Sequence, residues 1–564
     1  MFLMVSAPET SIRARLFRSQ ARGEVVPFES FMGHAGFVSH QWVAKHHPDP
    51  EFKQIKVLQE ALRRLLSTSG AVSLDLITEG QVPNAKAIPF QDFQQEALFL
   101  WYDYFSVPQL LGEEEQQGRA IDSIPAYVAK CRHFFALCPC LASSGHVLST
   151  ASWCRRGWCR LERASRELSQ YDSWILIQSP SRLEVVGTSF SLVGGSVGEG
   201  DFTVVQDREK LAPVMRAVLS KRLMLSLQAG NLPSFRRHLN LQSVHLRGLD
   251  VALVSSLVPS GGDEVTQFLH QNGLTRVAAR DAAGWCPLHY AALCGRRSLI
   301  EGLLARRADP NRLTSKDEPK LGFPFWMSAL DLAVFYKHNE AATALISARA
   351  QLRGGLELTI CWAAQSDNPE AIRLLQAARC DLRAKSVFGF GALETAVAYG
   401  AFKALDELVR HAPASRLELS RALHAGMAFR GGSAEMVLRL LHLRADMNFQ
   451  FQRHRDHGCL ARLYMCGKSL QHSLGRSSML TTLAYHQHGM TPLMNGIQSQ
   501  QYEGCAALIV AGARLDLSNG RGWTAHDFAR HQAIPVWLQQ GLEGDAEDCE
   551  AVCALALPHV EASF

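Results

Sequence analysis

The segment Trp158-Cys159-Arg160-Leu161-Glu162 places a carboxylate where it can do chemistry. On a helix that turns about 100° per residue, Trp158, Leu161, Ser165 and Leu168 share one face, and Glu162 stands about 40° from Trp158, at the edge of that face. A carboxyl group shielded in this way has its proton affinity tuned by its surroundings, as a charge-stabilising group requires. The same residue has Arg166 four positions on, the spacing of a favourable surface ion pair worth a few tenths of a kcal/mol. Ser39, His40 and Asp103 fall where strands should end. Asp103 suits either a ribose hydroxyl or a loop cap. Trp42 and Trp158 suit either stacking on a ligand ring or filling a core.

Two Cys/His groups do not have the spacing of a metal site. Cys131, Cys138, Cys140, Cys154 and Cys159 cluster, but C-x-C followed by C-x4-C is poor for zinc, and buried thiols are the better reading. His454, His457, Cys459, Cys466, His472, His486 and His488 show no paired ligand spacing. They are read as part of a solvated or helical insertion, with no metal.

The candidate site needs a scaffold. Between 26 and 220, short apolar runs alternate with amphipathic stretches, the pattern of an α/β layer architecture. Strands are predicted at 36–40, 97–104, 133–137 and 174–177, and helices at 52–66, 121–130, 152–168 and 208–220. A polar insertion covers 69–95, an acidic loop 112–118 and a Gly-rich hairpin 187–205. Ligands of open α/β sheets sit at the carboxyl ends of strands, where Ser39, His40 and Asp103 lie.

This order of elements is similar to that of the TIR domain. Val38-Ser39-His40 resembles the end of that family's first strand, and Trp158-Cys159-Arg160-Leu161-Glu162 resembles its W-C-x-x-E helix motif. Leu100-Trp101-Tyr102-Asp103 with Val107-Pro108-Gln109 resembles the L-W-x-D…I-x-Q strand end of the related heterokaryon-incompatibility domains of fungi. The insertion at 69–95 and the long hairpin depart from a compact TIR domain. The resemblance implies a flavodoxin-like parallel sheet, signalling by self-association and, in some members, NAD hydrolysis with Glu162 as the catalytic residue. Such a reaction has a physical rationale. Breaking the nicotinamide–ribose bond develops positive charge on the sugar, which an adjacent carboxylate stabilises. Nicotinamide leaves as a neutral ring, so no general acid is needed. Ser39, Trp42, Asp103 and Trp158 would then line the dinucleotide site. No cofactor is required; NAD enters as substrate.

The second half repeats itself. Asp281-Ala-Ala-Gly-Trp-Cys-Pro-Leu-His-Tyr-Ala-Ala, followed by Leu299, Ile300, Leu303 and Leu304, resembles the ankyrin repeat, with Cys286 where Thr is usual. Further copies start near Gly489-Met-Thr-Pro-Leu and Gly522-Trp-Thr-Ala-His. Weaker ones occur at Ser328-Ala-Leu-Asp-Leu-Ala and Gly391-Ala-Leu-Glu-Thr-Ala, and Leu223–Leu239 reads as a degenerate opening copy. In the signature Pro starts the inner helix at no hydrogen-bond cost, and Leu pairs must bury against the next unit, so the units stack. About seven to nine units are expected. The result is an all-α solenoid with a concave surface for a protein partner.

Composition narrows the classes. The chain has 564 residues, 47% of them hydrophobic, and 58 Lys+Arg against 53 Asp+Glu. A net charge of +5 on this length gives no bulk basis for nucleic-acid binding. The N-terminus lacks a basic signal region, and no window of 18 uninterrupted apolar residues occurs. The 14 cysteines show no regular framework and suit a reducing compartment. A cytoplasmic protein is expected, with the nucleus as alternative, and no membrane partner.

The expected organisation is therefore a tail at 1–25, a TIR-like α/β domain at 26–220, an ankyrin solenoid at 221–545 interrupted at 451–488, and a tail at 546–564. The expected function is an intracellular signalling scaffold. Its array binds a protein, and its TIR-like domain is an effector or self-association module. The alternative is an NAD nucleosidase using Glu162 and regulated by the array. A third reading makes the α/β unit a structural cap.

Overall fold

The computed structural model describes residues 26–44, 47–82, 85–107, 114–143, 145–171, 173–187, 195–254, 263–315, 323–324, 326–355 and 357–557. The tail at 1–25 and the Pro108-Gln109 dipeptide lie outside the described residues.

Among the described residues, nine strands build the N-terminal unit: β1 (His34–Ser39), β2 (Ala71–Leu74), β3 (Ile88–Pro89), β4 (Leu98–Tyr102), β5 (His133–Leu137), β6 (Leu141–Ser143), β7 (His146–Leu148), β8 (Trp174–Ser179) and β9 (Arg182–Val186). Seven form one sheet in the order β3-β2-β9-β8-β5-β1-β4, while β6 and β7 form a separate ribbon. Strands β4, β1, β5 and β8 run parallel. The chain crosses from β1 to one side and returns to pair β5 on the other, so the β1/β5 boundary is a topological switch point.

The sheet is mixed, which corrects the expectation of a parallel sheet. Strand β9 follows β8 through a two-residue turn, and a connection that short can only return antiparallel. The insertion at 69–95 supplies β2 and β3, which extend the sheet on that side.

The central strands are nearly continuous apolar runs because helices cover both faces. Alternation then sorts their side chains. Phe37, Phe134, Ala136 and Leu176 pack under helices Glu114–Lys130, Gly157–Glu167 and Asp207–Gln228. Val38, Phe135, Leu137, Ile175 and Ile177 pack under Leu58, Leu62 and Leu65 of helix Lys53–Ser67.

Helix Asp207–Gln228 runs out of this unit and pairs with Leu232–Asn240 to open the array. The expected boundary at 220 therefore falls inside one helix. Inner helices Pro287–Cys294, Ala329–Phe335, Thr359–Gln365, Ala392–Ala398, Arg416–Ala428, Pro492–Ser499 and Ala525–Arg530 then stack in sequence. One apolar cluster runs through them all, as stacking requires. The array steps directly from Arg416–Ala428 to Pro492–Ser499, so the interruption is an excursion. It carries helices Arg453–Asp456, Cys459–Ser473 and Met479–His486. The expected C-terminal tail begins with a helix, Glu547–Ala556, whose Cys549, Val552 and Cys553 are buried against the last repeats.

The α/β unit lies along the edge of the array where inner helices turn into outer ones. Arg430, just past Arg416–Ala428, reaches Asp75 and Glu184, each at 3.4 Å. Gln500 donates to Ser179 Oγ at 3.0 Å, and Arg182 donates to the Gln498 carbonyl. The two insertions also meet. Glu79 of helix Leu76–Gln81 accepts from Ser478 Oγ at 2.8 Å and pairs with Lys468 at 3.3 Å, while Leu76 packs on Met465, Leu480 and Ala484.

Candidate functional site

The carboxyl ends of β1 and β4 gather the polar residues singled out by sequence. Ser39 is the last residue of β1, and its Oγ donates to Glu162 Oε2 at 2.5 Å. Trp153 Nε1 donates to the same hydroxyl at 3.0 Å. Sequence reading missed Trp153, which sits in helix Thr150–Arg155 and carried no motif.

One residue further, His40 stacks on Tyr102 with centroids 4.2 Å apart, and its Nε2 is 2.7 Å from Asp103 Oδ1. Trp42 Nε1 donates to Asp103 Oδ2 at 2.7 Å, and the Tyr104 amide donates to Oδ1 at 2.6 Å. Asp103 thus ties two strand ends together, because β4 stops at Tyr102 and the chain turns at once into helix Asp103–Ser106. Trp42 meets Asp103 through its indole N–H and Tyr104 at a ring edge.

The electrostatics divide the carboxyls. Glu162 is 9% exposed, and burial pushes its pKa up to about 8 against the opposing Ser39 hydrogen bond. Burial would also raise Asp103, but the charge and hydrogen bond of His40, with the Trp42 and Tyr104 N–H groups, hold it below its ordinary value. Burial disfavours the His40 cation, yet Asp103 outweighs it and His40 is raised. The site therefore holds a neutral carboxyl at Glu162 beside an ionised one at Asp103.

Two sequence expectations fail here. Trp158 does not line this cluster; in the first turn of Gly157–Glu167 it faces helix Asp207–Gln228 and donates to Asp207 at 3.2 Å. Arg166 does not pair with Glu162 but donates to the carbonyls of Ser173, Cys131 and Arg132, each at 2.8 Å. Cys131, Cys138, Cys154 and Cys159 are core residues whose thiols burial pushes up. Among the described residues, no group of three or more His, Cys, Asp or Glu is placed to hold a metal, and no helix is long and apolar enough to cross a membrane.

The array has its own recurring geometry. The Cys286 amide donates to His289 Nδ1 at 3.1 Å, leaving Nε2–H to donate to the Arg312 carbonyl at 3.1 Å. One imidazole so fastens the start of an inner helix to the next hairpin. At Thr491 the hydroxyl caps the Met494 amide at 3.3 Å.

Residues 283–315 match the family model of the ankyrin repeat. The crystal structure of the human ASB11 ankyrin repeat domain is similar over 49% of this chain and 100% of that chain, at 18% identity and a TM-score of 0.32. No curated protein matches the sequence. Ankyrin repeats generally bind protein partners, and the array points to protein–protein interaction. Its hairpin edge, opposite the α/β unit, presents Trp326, Val387 and Phe388 as exposed large apolar residues.

Proposed function

We propose that the array binds a protein partner through its hairpin tips, and that the α/β unit seated on the opposite edge is a TIR-like effector or self-association module. One observation carries this reading. The helix-turn edge is covered from within the chain by the Arg430–Asp75–Glu184 contact, while the tips present Trp326, Val387 and Phe388. Exposed aromatic side chains are the residues that dominate binding energy at protein interfaces. The test is capture by the full-length chain against a Trp326→Ala/Phe388→Ala variant of equal stability. A partner retained saturably by the first and lost by the second supports the proposal. Equal capture by both removes the tips from it.

A second reading is favoured by the placement of Glu162. A shielded carboxyl held by Ser39 at the switch-point end of β1 suits cleavage of a glycosidic bond to a cationic ring, with NAD as substrate. The cationic nicotinamide ring would favour the ionised carboxylate that the reaction needs. Nicotinamide release by concentrated or bead-clustered wild-type chain, abolished in Glu162→Gln, supports it. Absence of release from the wild type under both conditions excludes it.

A further inference from the structure

The excursion between Arg416–Ala428 and Pro492–Ser499 borders an open cavity of about 380 Å³ against the next repeat. Arg453, Arg462, Arg521, His454 and His488 line it, with Tyr485. Among the described residues, no carboxylate lines it. The acid nearest in sequence, Asp456, is already held by Arg421 at 2.6 Å and Arg455 at 2.8 Å. The lining arginines find only neutral partners among the described residues. Arg453 donates to the carbonyls of Ala484 and Tyr485, Arg462 approaches Cys459 Sγ at 3.5 Å, and Arg521 lies over the Tyr485 ring at 4.0 Å. The Arg453 Nε is buried without an acceptor. Burial disfavours the Arg453 cation, the Cys466 thiol, which also lines the cavity, favours it, and the charge of Arg521 disfavours it.

Three guanidinium groups gathered without a counter-charge oppose folding through mutual repulsion unless an anion joins them. Their planar forks match phosphate oxygens bidentately. The volume exceeds that of one phosphate and falls in the range of small-molecule pockets. We propose that this cavity binds a multiply phosphorylated small ring, as a soluble ester or as a lipid headgroup.

Helix Cys459–Ser473 bears on which source applies. It contributes Arg462 to the cavity, while its buried residues Ala461, Met465 and Ser469 hold it to the body. Between them it exposes Leu460, Leu463, Tyr464 and Leu470, with Leu474 just beyond. At about 100° per residue these five form one stripe about 120° wide, flanked by Arg462. Leu463 and Leu474 are 74% and 73% exposed. A headgroup in the cavity would set this stripe against the acyl boundary, with the basic side chains at headgroup level.

The test uses the full chain and two probes: inositol 1,4,5-trisphosphate by titration calorimetry, and phosphatidylcholine vesicles with and without phosphatidylinositol 4,5-bisphosphate by co-sedimentation. Saturable binding of either phosphorylated probe, weakened about tenfold or more by Arg521→Glu and by Arg462→Ala, supports the site. Arg521 is exposed, so its substitution leaves the fold intact, and Arg521→Lys should retain part of the affinity. A Leu463→Asp/Leu474→Asp variant that loses vesicles but keeps the soluble ester assigns the lipid source; unchanged vesicle binding assigns the cavity alone. Failure of both probes to bind, or binding indifferent to both arginine substitutions, overturns the proposal.

Discussion

Ser39 Oγ donates to Glu162 Oε2 at 2.5 Å inside a site that leaves Glu162 only 9% exposed. Burial holds this carboxyl protonated up to a pH of about 8, against an ordinary value of 4.5. Below about pH 4.5 folded and unfolded chains both carry the proton. Between there and about pH 8 only the folded chain does, so stability falls as pH rises. At about 1.4 kcal/mol per pKa unit the loss is on the order of a few kcal/mol. Glu162→Gln, neutral at every pH, should therefore be more stable than wild type at pH 8.5 and nearly equal to it at pH 4.5, measured by urea unfolding. Parallel pH profiles for the two proteins would show that Glu162 is not shielded.

The Asp103 carboxylate anchors His40, Trp42 and the Tyr104 amide together. Asp103→Ala takes the shared acceptor from all three donors and should cost about 3 kcal/mol. Asp103→Asn is the sharper experiment. It keeps the shape but removes the charge that raises His40, leaving burial, which lowers it, as the largest influence. The His40 titration followed by NMR should move down relative to wild type. An unmoved titration would mean that Asp103 does not set the His40 proton affinity.

How far the sequence reached depends on whether a feature is local. Strands β1, β5 and β8 were legible because burial on both faces writes them as apolar runs, and the edge strand β4, half-buried along its middle, through its own run of leucines and aromatics. Strand β3 was not: two residues long and containing Pro89, it has the composition of an edge. The repeat signature was plain where Pro287 and Pro492 start inner helices, and faint where Ser328, Gly391 and Ser415 cap them instead. Ser39, Asp103 and Glu162 were found as residues at strand and helix ends. Their partner Trp153 was missed because nothing in its own segment marks it. Trp158 was misplaced because a helical wheel gives a face but not the neighbour that covers it. The Arg430–Glu184 contact joins residues 246 positions apart, and no periodicity predicts such a pairing.

Arg430, its side chain 14% exposed, lies between the buried Asp75 and Glu184 where the array meets the α/β unit. Their charges hold the guanidinium in its cationic form against burial. Arg430→Ala takes this cation from two buried carboxylates, leaving Glu184 to Arg182 at 2.7 Å and Asp75 to the Ile77 and Thr78 amides, and should cost on the order of 3 kcal/mol. Because the contact spans the two halves, the loss should appear as their uncoupling. Calorimetry should resolve two transitions in place of one, and limited proteolysis should cut between the halves. A single unshifted transition would assign the cohesion of the two halves to other contacts.

The array also carries strain that can be relieved. Outer helices such as Arg297–Ala305, Asn339–Ser347, Pro369–Ala377 and Ala434–His442 are followed by arginines in the left-handed region: Arg307, Arg349, Arg379 and Arg444, at φ of 64°, 60°, 63° and 71°. Gly512 occupies the equivalent place after Tyr502–Val510, at φ 85°. A side chain in this conformation costs about 1 kcal/mol that glycine does not. Arg444 is exposed, so Arg444→Gly should stabilise the array by up to about 1 kcal/mol in urea unfolding, while Arg444→Ala leaves it nearly unchanged. Destabilisation by the glycine would mean that the arginine side chain holds the turn by contacts worth more than the strain it imposes.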